Sequence, residues 1–98
     1  ANSILDNFFC SKFFLGVDGI DLEYGISTTS AQEAILNQKM IDVAQKVIVL
    51  ADSSKFGRKG FGKIADFANV DVIISDEIPK NFLEHFNSLG IETIVCKK

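Results

Sequence analysis

Val47-Ile48-Val49-Leu50-Ala51 is an unbroken run of β-branched and aliphatic residues. A strand wetted on one face alternates apolar with polar residues. A run without a polar break is covered on both faces, as in a parallel sheet lying under helices. Three more apolar-rich stretches read as strands, Lys12-Phe13-Phe14-Leu15-Gly16-Val17, Val70-Asp71-Val72-Ile73-Ile74-Ser75 and Ile91-Glu92-Thr93-Ile94-Val95-Cys96. Helical patterns lie between them. Ser30 opens the first, with Glu33 at the capping-box spacing, and Leu36, Met40, Val43, Ala44 and Val47 then recur at intervals of three and four to form one apolar stripe. Pro79 at a first helical position opens the second; Phe82, Leu83, Phe86 and Leu89 share a face, and Gly90 ends it. A shorter helix is expected over Ile4 to Phe9. Strand, helix and strand in repetition predict an α/β domain with an open, mainly parallel sheet and flanking helices.

The chain has 98 residues, enough for one small domain, and its 47% apolar and 23% charged content is that of a globular rather than a disordered protein. A net charge of -3 opposes nucleic-acid binding by these residues alone, because that affinity rests on an excess of Lys and Arg over the phosphates they neutralise. No apolar run reaches about 18 residues, so no membrane span is expected. The start, Ala1-Asn2-Ser3, shows no secretory signal pattern. Cys10 and Cys96 lack CxxC spacing and are expected as buried thiols, with a single disulfide as the alternative. With His85 the only histidine, no zinc site is expected; His85 itself is expected on the surface beside Glu84.

Two stretches fit no regular element and are expected as loops. Each follows a strand, at the carboxyl edge where open α/β sheets bind ligands. Asp52 to Lys63 holds four cations and three glycines, a composition suited to an anion or simply to a solvated basic loop. Gly57 to Lys63 spells GxxxxGK, but Ile64 stands where a triphosphatase loop needs Ser or Thr for magnesium, so that function is excluded. Asp18 to Thr29 carries Asp18 and Asp21 around Gly19 and Ile20. Such acids either grip sugar hydroxyls or cap a turn by bonding nearby amides. Ser27, Thr28 and Thr29, next to a helix start, suit either an anion or loop capping. Glu33 reads as a helix cap and Lys39 as a solvated helix residue.

The order of these motifs is informative. Phe14-Leu15-Gly16-Val17-Asp18-Gly19-Ile20-Asp21, then Gly25-Ile26-Ser27-Thr28-Thr29, Glu33, Lys39-Met40 and Leu50-Ala51-Asp52-Ser53-Ser54-Lys55-Phe56-Gly57 resembles the sensor domain of DeoR-family transcriptional regulators, repressors of sugar-utilisation operons. The likeness runs from about Phe8 to Cys96. It implies an isomerase-like (Rossmann-like) fold, of which residues 1–98 would be the C-terminal part. A helix-turn-helix domain that binds operator DNA, and the first part of the sensor, would belong to the longer protein. It implies a phosphorylated sugar as effector, bound by Asp18, Gly19, Asp21, Thr28, Glu33, Lys39 and Lys55. It further implies a cytoplasmic homo-oligomer with no membrane partner, no cofactor and no catalysis. Asp18-Gly19-Ile20-Asp21 and Ser54-Lys55 are also similar to motifs of ribose-5-phosphate isomerases, which makes a sugar-phosphate isomerase the alternative function. Where those enzymes place a lysine ahead of a glycine run, Glu23-Tyr24-Gly25-Ile26 has none, so binding without turnover is the expectation.

Overall fold

A computed structural model describes residues 10–96. Four parallel strands form the main sheet: β1 (Cys10–Gly16), β4 (Ala44–Leu50), β6 (Val72–Ser75) and β7 (Glu92–Val95), adjacent in that order. Phe13 lies opposite Val47, Ile48 opposite Val72, and Ile73 opposite Thr93. All four correspond to the strands read from the sequence, shifted by one to three residues at their ends. Helix α1 (Ala31–Val43) leads into β4, and α2 (Lys80–Ser88) joins β6 to β7. The α/β architecture with a mainly parallel sheet is therefore as expected.

The two expected loops are only partly loops. Residues 18–29 contain a β-hairpin, β2 (Gly19–Asp21) and β3 (Gly25–Thr28), and the basic stretch runs into β5 (Gly62–Ala65), which pairs antiparallel with β3. The result is a second sheet in the order β2-β3-β5. Strands of three and four residues rich in Gly, Ser and Asp carry almost no local strand preference, and their pairing is imposed by the rest of the fold. Ile20, Ile26 and Ile64 from this sheet join Leu15, Val49 and Ile73 from the main one in a single core.

Helix α1 corrects the expected stripe. Only Ala34 of the helix is buried, packed on Gly62, where an added Cβ would stand 2.8 Å from the Ala34 Cβ. Leu36 is 55% exposed and faces a shallow groove with Phe14 of β1. The helix ends at Val43, so Ala44 and Val47 belong to β4. Here the three-and-four spacing ran across a helix-to-strand junction, and the helix meets the core through the small Ala34 and the partly buried Ile41 rather than through Leu36. Pro79 caps α2 from just outside it, and Gly90, at φ 76°, ends it as expected. Leu89 is half exposed, while His85 is half-buried with its ring edge-on to Phe67 at 5.6 Å. Cys96 is an exposed free thiol rather than a buried one; it follows the last residue of the sheet. The helix expected over Ile4 to Phe9, and the Cys10 side chain, lie outside the described residues.

Phe82 and Phe86 of α2 interlock with Phe56 and Phe67 at centroid separations between 5.0 and 6.4 Å. This cluster fastens the segment after β4 to the helix over β6 and β7. Among the described residues Phe86 is the largest fully buried side chain. Phe86→Ala should therefore cost about 3–5 kcal/mol of stability, read as a lowered midpoint in equilibrium urea denaturation.

Candidate functional site

The site begins where β1 ends. The Asp18 amide donates to the Ser27 carbonyl at 2.9 Å, which extends the hairpin ladder by one rung and aims the Asp18 carboxylate at the far end of β3. Asp18 Oδ2 accepts from the Thr28 hydroxyl at 2.9 Å, from the Thr29 amide at 3.1 Å and from the Thr29 hydroxyl at 3.4 Å. The Thr29 amide first, then the Thr28 hydroxyl, hold this carboxyl below its ordinary range, and the positive charge of Lys55 acts in the same direction.

Thr28 also stands 3.0 Å from Oε2 of Glu33. Ser30 caps α1 as expected, accepting from the Glu33 amide at 3.3 Å, but the Glu33 carboxylate turns to Thr28. Thr28 itself is 2% exposed. Its hydroxyl carries one proton and faces two carboxylate oxygens, so it can donate to only one of them at a time. The other is left with capacity for a donor from outside. Asp18, Thr28 and Glu33 thus form one cluster on three different elements.

Lys55 ends a 3-10 turn, residues 53–55, that follows β4. Asp52 caps this turn by accepting from the Ser54 hydroxyl and from the Ser54 amide at 3.0 Å, and Asp76 at the end of β6 accepts from the Ser53 amide at 2.7 Å. These bonds, the Ser54 hydroxyl foremost for Asp52 and the Ser53 amide for Asp76, hold both carboxyls below the ordinary value. The turn is fixed from two sides without Lys55, which is half-buried and makes no direct ion pair among the described residues. Its charge nevertheless reaches both Asp18 and Asp52.

The other expected residues are placed differently. Asp21 caps the hairpin turn, accepting from the Tyr24 amide at 2.8 Å and the Glu23 amide at 3.0 Å, so it takes the turn role at the far end from Asp18. Gly19 provides space: a Cβ there would stand 2.5 Å from the Arg58 carbonyl oxygen. Lys39 is exposed on α1, about 9 Å further along the helix axis than Glu33. Two residues outside that set matter. Thr29 supplies two of the bonds to Asp18, and the fully buried Ser27 holds the basic loop. Their signal in sequence was the hydroxyl run Ser27-Thr28-Thr29. A groove of about 620 Å3 lies at the same sheet edge, lined by Leu50, Ile74, Asp76 and Cys96 among others, but not by the Asp18 cluster.

A family model described as the DeoR C terminal sensor domain matches residues 1–77. The chain is 47% identical over 96 residues to a putative aga operon transcriptional repressor of Escherichia coli O157:H7, covering 97% of this chain and 36% of that protein. It is 33% identical over 95 residues to the HTH-type transcriptional repressor GlcR of Bacillus subtilis, covering 96% and 36%. To the HTH-type transcriptional regulator GlpR of Haloferax volcanii it is 30% identical over 95 residues, covering 96% and 37%. The chain spans about a third of the length of these curated relatives.

The cluster makes acid behaviour testable. The folded Asp18 carboxyl titrates below 3.8, so the stability it contributes is present above that value and is lost as pH falls through the lower folded one. Asp18→Asn should be less stable than wild type at pH 7, and the difference should shrink to nothing as pH drops well below 3.8. Urea midpoints measured across the acid range check this.

Proposed function

The chain belongs to the DeoR C-terminal sensor domain family, and from that premise we propose that it is the effector-sensing part of a transcriptional regulator of carbohydrate metabolism, with a phosphorylated sugar as its effector. The observation that carries this reading is the Thr28 hydroxyl shared between Asp18 and Glu33. A sugar hydroxyl supplies the missing donor, and a carboxylate is its natural acceptor. Lys55, whose charge reaches Asp18 without pairing to it, meets the phosphate on the other side. Asp18, Thr28, Glu33 and Lys55 form the binding set. Gly19 and Asp21 shape the hairpin that carries it, and Lys39 is peripheral.

Residues 1–98 act in this reading as the C-terminal part of the sensor. Two features support that assignment besides the length of the relatives. Among the described residues β1 is an edge of the main sheet, and Phe14 on it and Leu36 on α1 are 57% and 55% exposed, an apolar strip suited to cover by a further layer. Operator DNA and self-association belong to the whole regulator. Effector binding shifts it between states of different DNA affinity by the difference in affinity for those states. The relatives quoted are transcriptional regulators, which supports sensing over turnover. No helix among the described residues is long and apolar enough to cross a membrane.

The test is calorimetric titration of the full-length regulator with a panel of pentose and hexose phosphates, beside the free sugars. Lys55→Ala should weaken binding of the phosphorylated ligand about tenfold to a hundredfold, as expected for losing a charge-assisted bond of about 1.5–3 kcal/mol. Effector-free operator binding should stay intact. A lowered melting temperature with unchanged affinity would instead make Lys55 a loop-fixing residue.

A further inference from the structure

The basic loop is pinned at two points to the hairpin that lies between Asp18 and Glu33 in the chain. At one end the Gly57 amide donates to the Ile20 carbonyl at 2.7 Å, next to the bridge between Ile20 and Phe56. At the other, the Gly60 amide donates to Ser27 Oγ at 2.7 Å. The fit there leaves no room. A Cβ on Gly60 would stand 2.5 Å from the Thr28 carbonyl oxygen, and one on Gly19 would stand 2.7 Å from Ser27 Oγ. Ser27 has no exposed surface, and its hydroxyl is 3.5 Å from the Gly19 carbonyl, to which it donates. Between the pins sit the exposed Arg58 and Lys59, three and four residues beyond Lys55.

We infer that Ser27 is a positioning residue for anion recognition: through the Gly60 amide it sets where the cationic loop stands relative to Asp18, Thr28 and Glu33. Ser27 and Thr28 are consecutive on β3. One holds the loop that carries the cations and the next bridges the carboxylates, so adjacent positions of one strand set the separation of the two halves of the site. Without Ser27 Oγ the Gly60 amide, in a part-buried position, loses its acceptor. A buried unpaired donor is costly enough that the loop re-seats to find another. The inference rests on the anion-binding reading above.

The experiment uses the full-length regulator and inorganic phosphate as probe, titrated calorimetrically at low and moderate salt, with hydrogen exchange followed over residues 56–62. Ser27→Ala should bind phosphate about tenfold more weakly, with a flatter dependence on salt and faster exchange in the loop. Ser27→Cys, close in volume and a weaker acceptor, should fall between, and it carries the test if the alanine variant does not fold. Phosphate affinity within twofold of wild type in a folded variant, even with a lowered melting temperature, would overturn the inference and leave the sensing function standing. Wild-type protein that binds a free sugar but neither phosphate nor any sugar phosphate would sink the anion reading itself, and this inference with it.

Discussion

Strand β3 is buried along its whole length, yet two of its four residues carry hydroxyls. Ser27 and Thr28 are 0% and 2% exposed, and neither can reach bulk water. A buried hydroxyl without a partner costs more than a made hydrogen bond returns, so the surroundings must be built to answer both. That requirement organises the acidic end of the molecule. Ser27 takes the Gly60 amide and the Gly19 carbonyl; Thr28 takes two carboxylates. Among the described residues no buried side-chain polar atom is left without a partner.

The arrangement depends on the aromatic cluster some distance away. Phe56 sits between the turn that carries Lys55 and the loop that Ser27 holds, and it is packed against Phe82 and Phe86 of α2. The cationic segment is thereby tied to the helix layer over the main sheet, while the acids are tied to the hairpin. Both reach the carboxyl side of the parallel strands, the edge at which α/β sheets bind ligands.

The main sheet was legible because its central strands are largely buried, and the continuous apolar run Val47 to Val49 records that burial directly. The small sheet was not. Gly19-Ile20-Asp21 and Gly62-Lys63-Ile64-Ala65 are strands because β3 lies beside them, a relation between segments far apart in sequence. Leu36 misled for a different reason: spacing shows that a helix has an apolar face but not which neighbour that face will meet. In the site, the acidic motif gave Asp18 and Asp21 equal standing, and only the hairpin separates them, one at the open end and the other in the turn. Lys39, by contrast, followed its pattern as an exposed helix residue.

Strands β1 and β4 are hydrogen-bonded neighbours, from Cys10 opposite Ala44 to Gly16 opposite Leu50. The segment between them, residues 17–43, contains Asp18, Thr28 and Glu33, while Lys55 comes after β4. Closing a flexible loop of that length costs about 3 kcal/mol of chain entropy. Cross-strand contacts this far apart in sequence also form late in folding. On the ribosome the acids are therefore made before the strand that locks them in place, and the cation is made last. Until β4 has emerged and paired, the nascent chain carries Asp18, Thr28 and Glu33 without the frame that brings Lys55 to the same edge of the sheet.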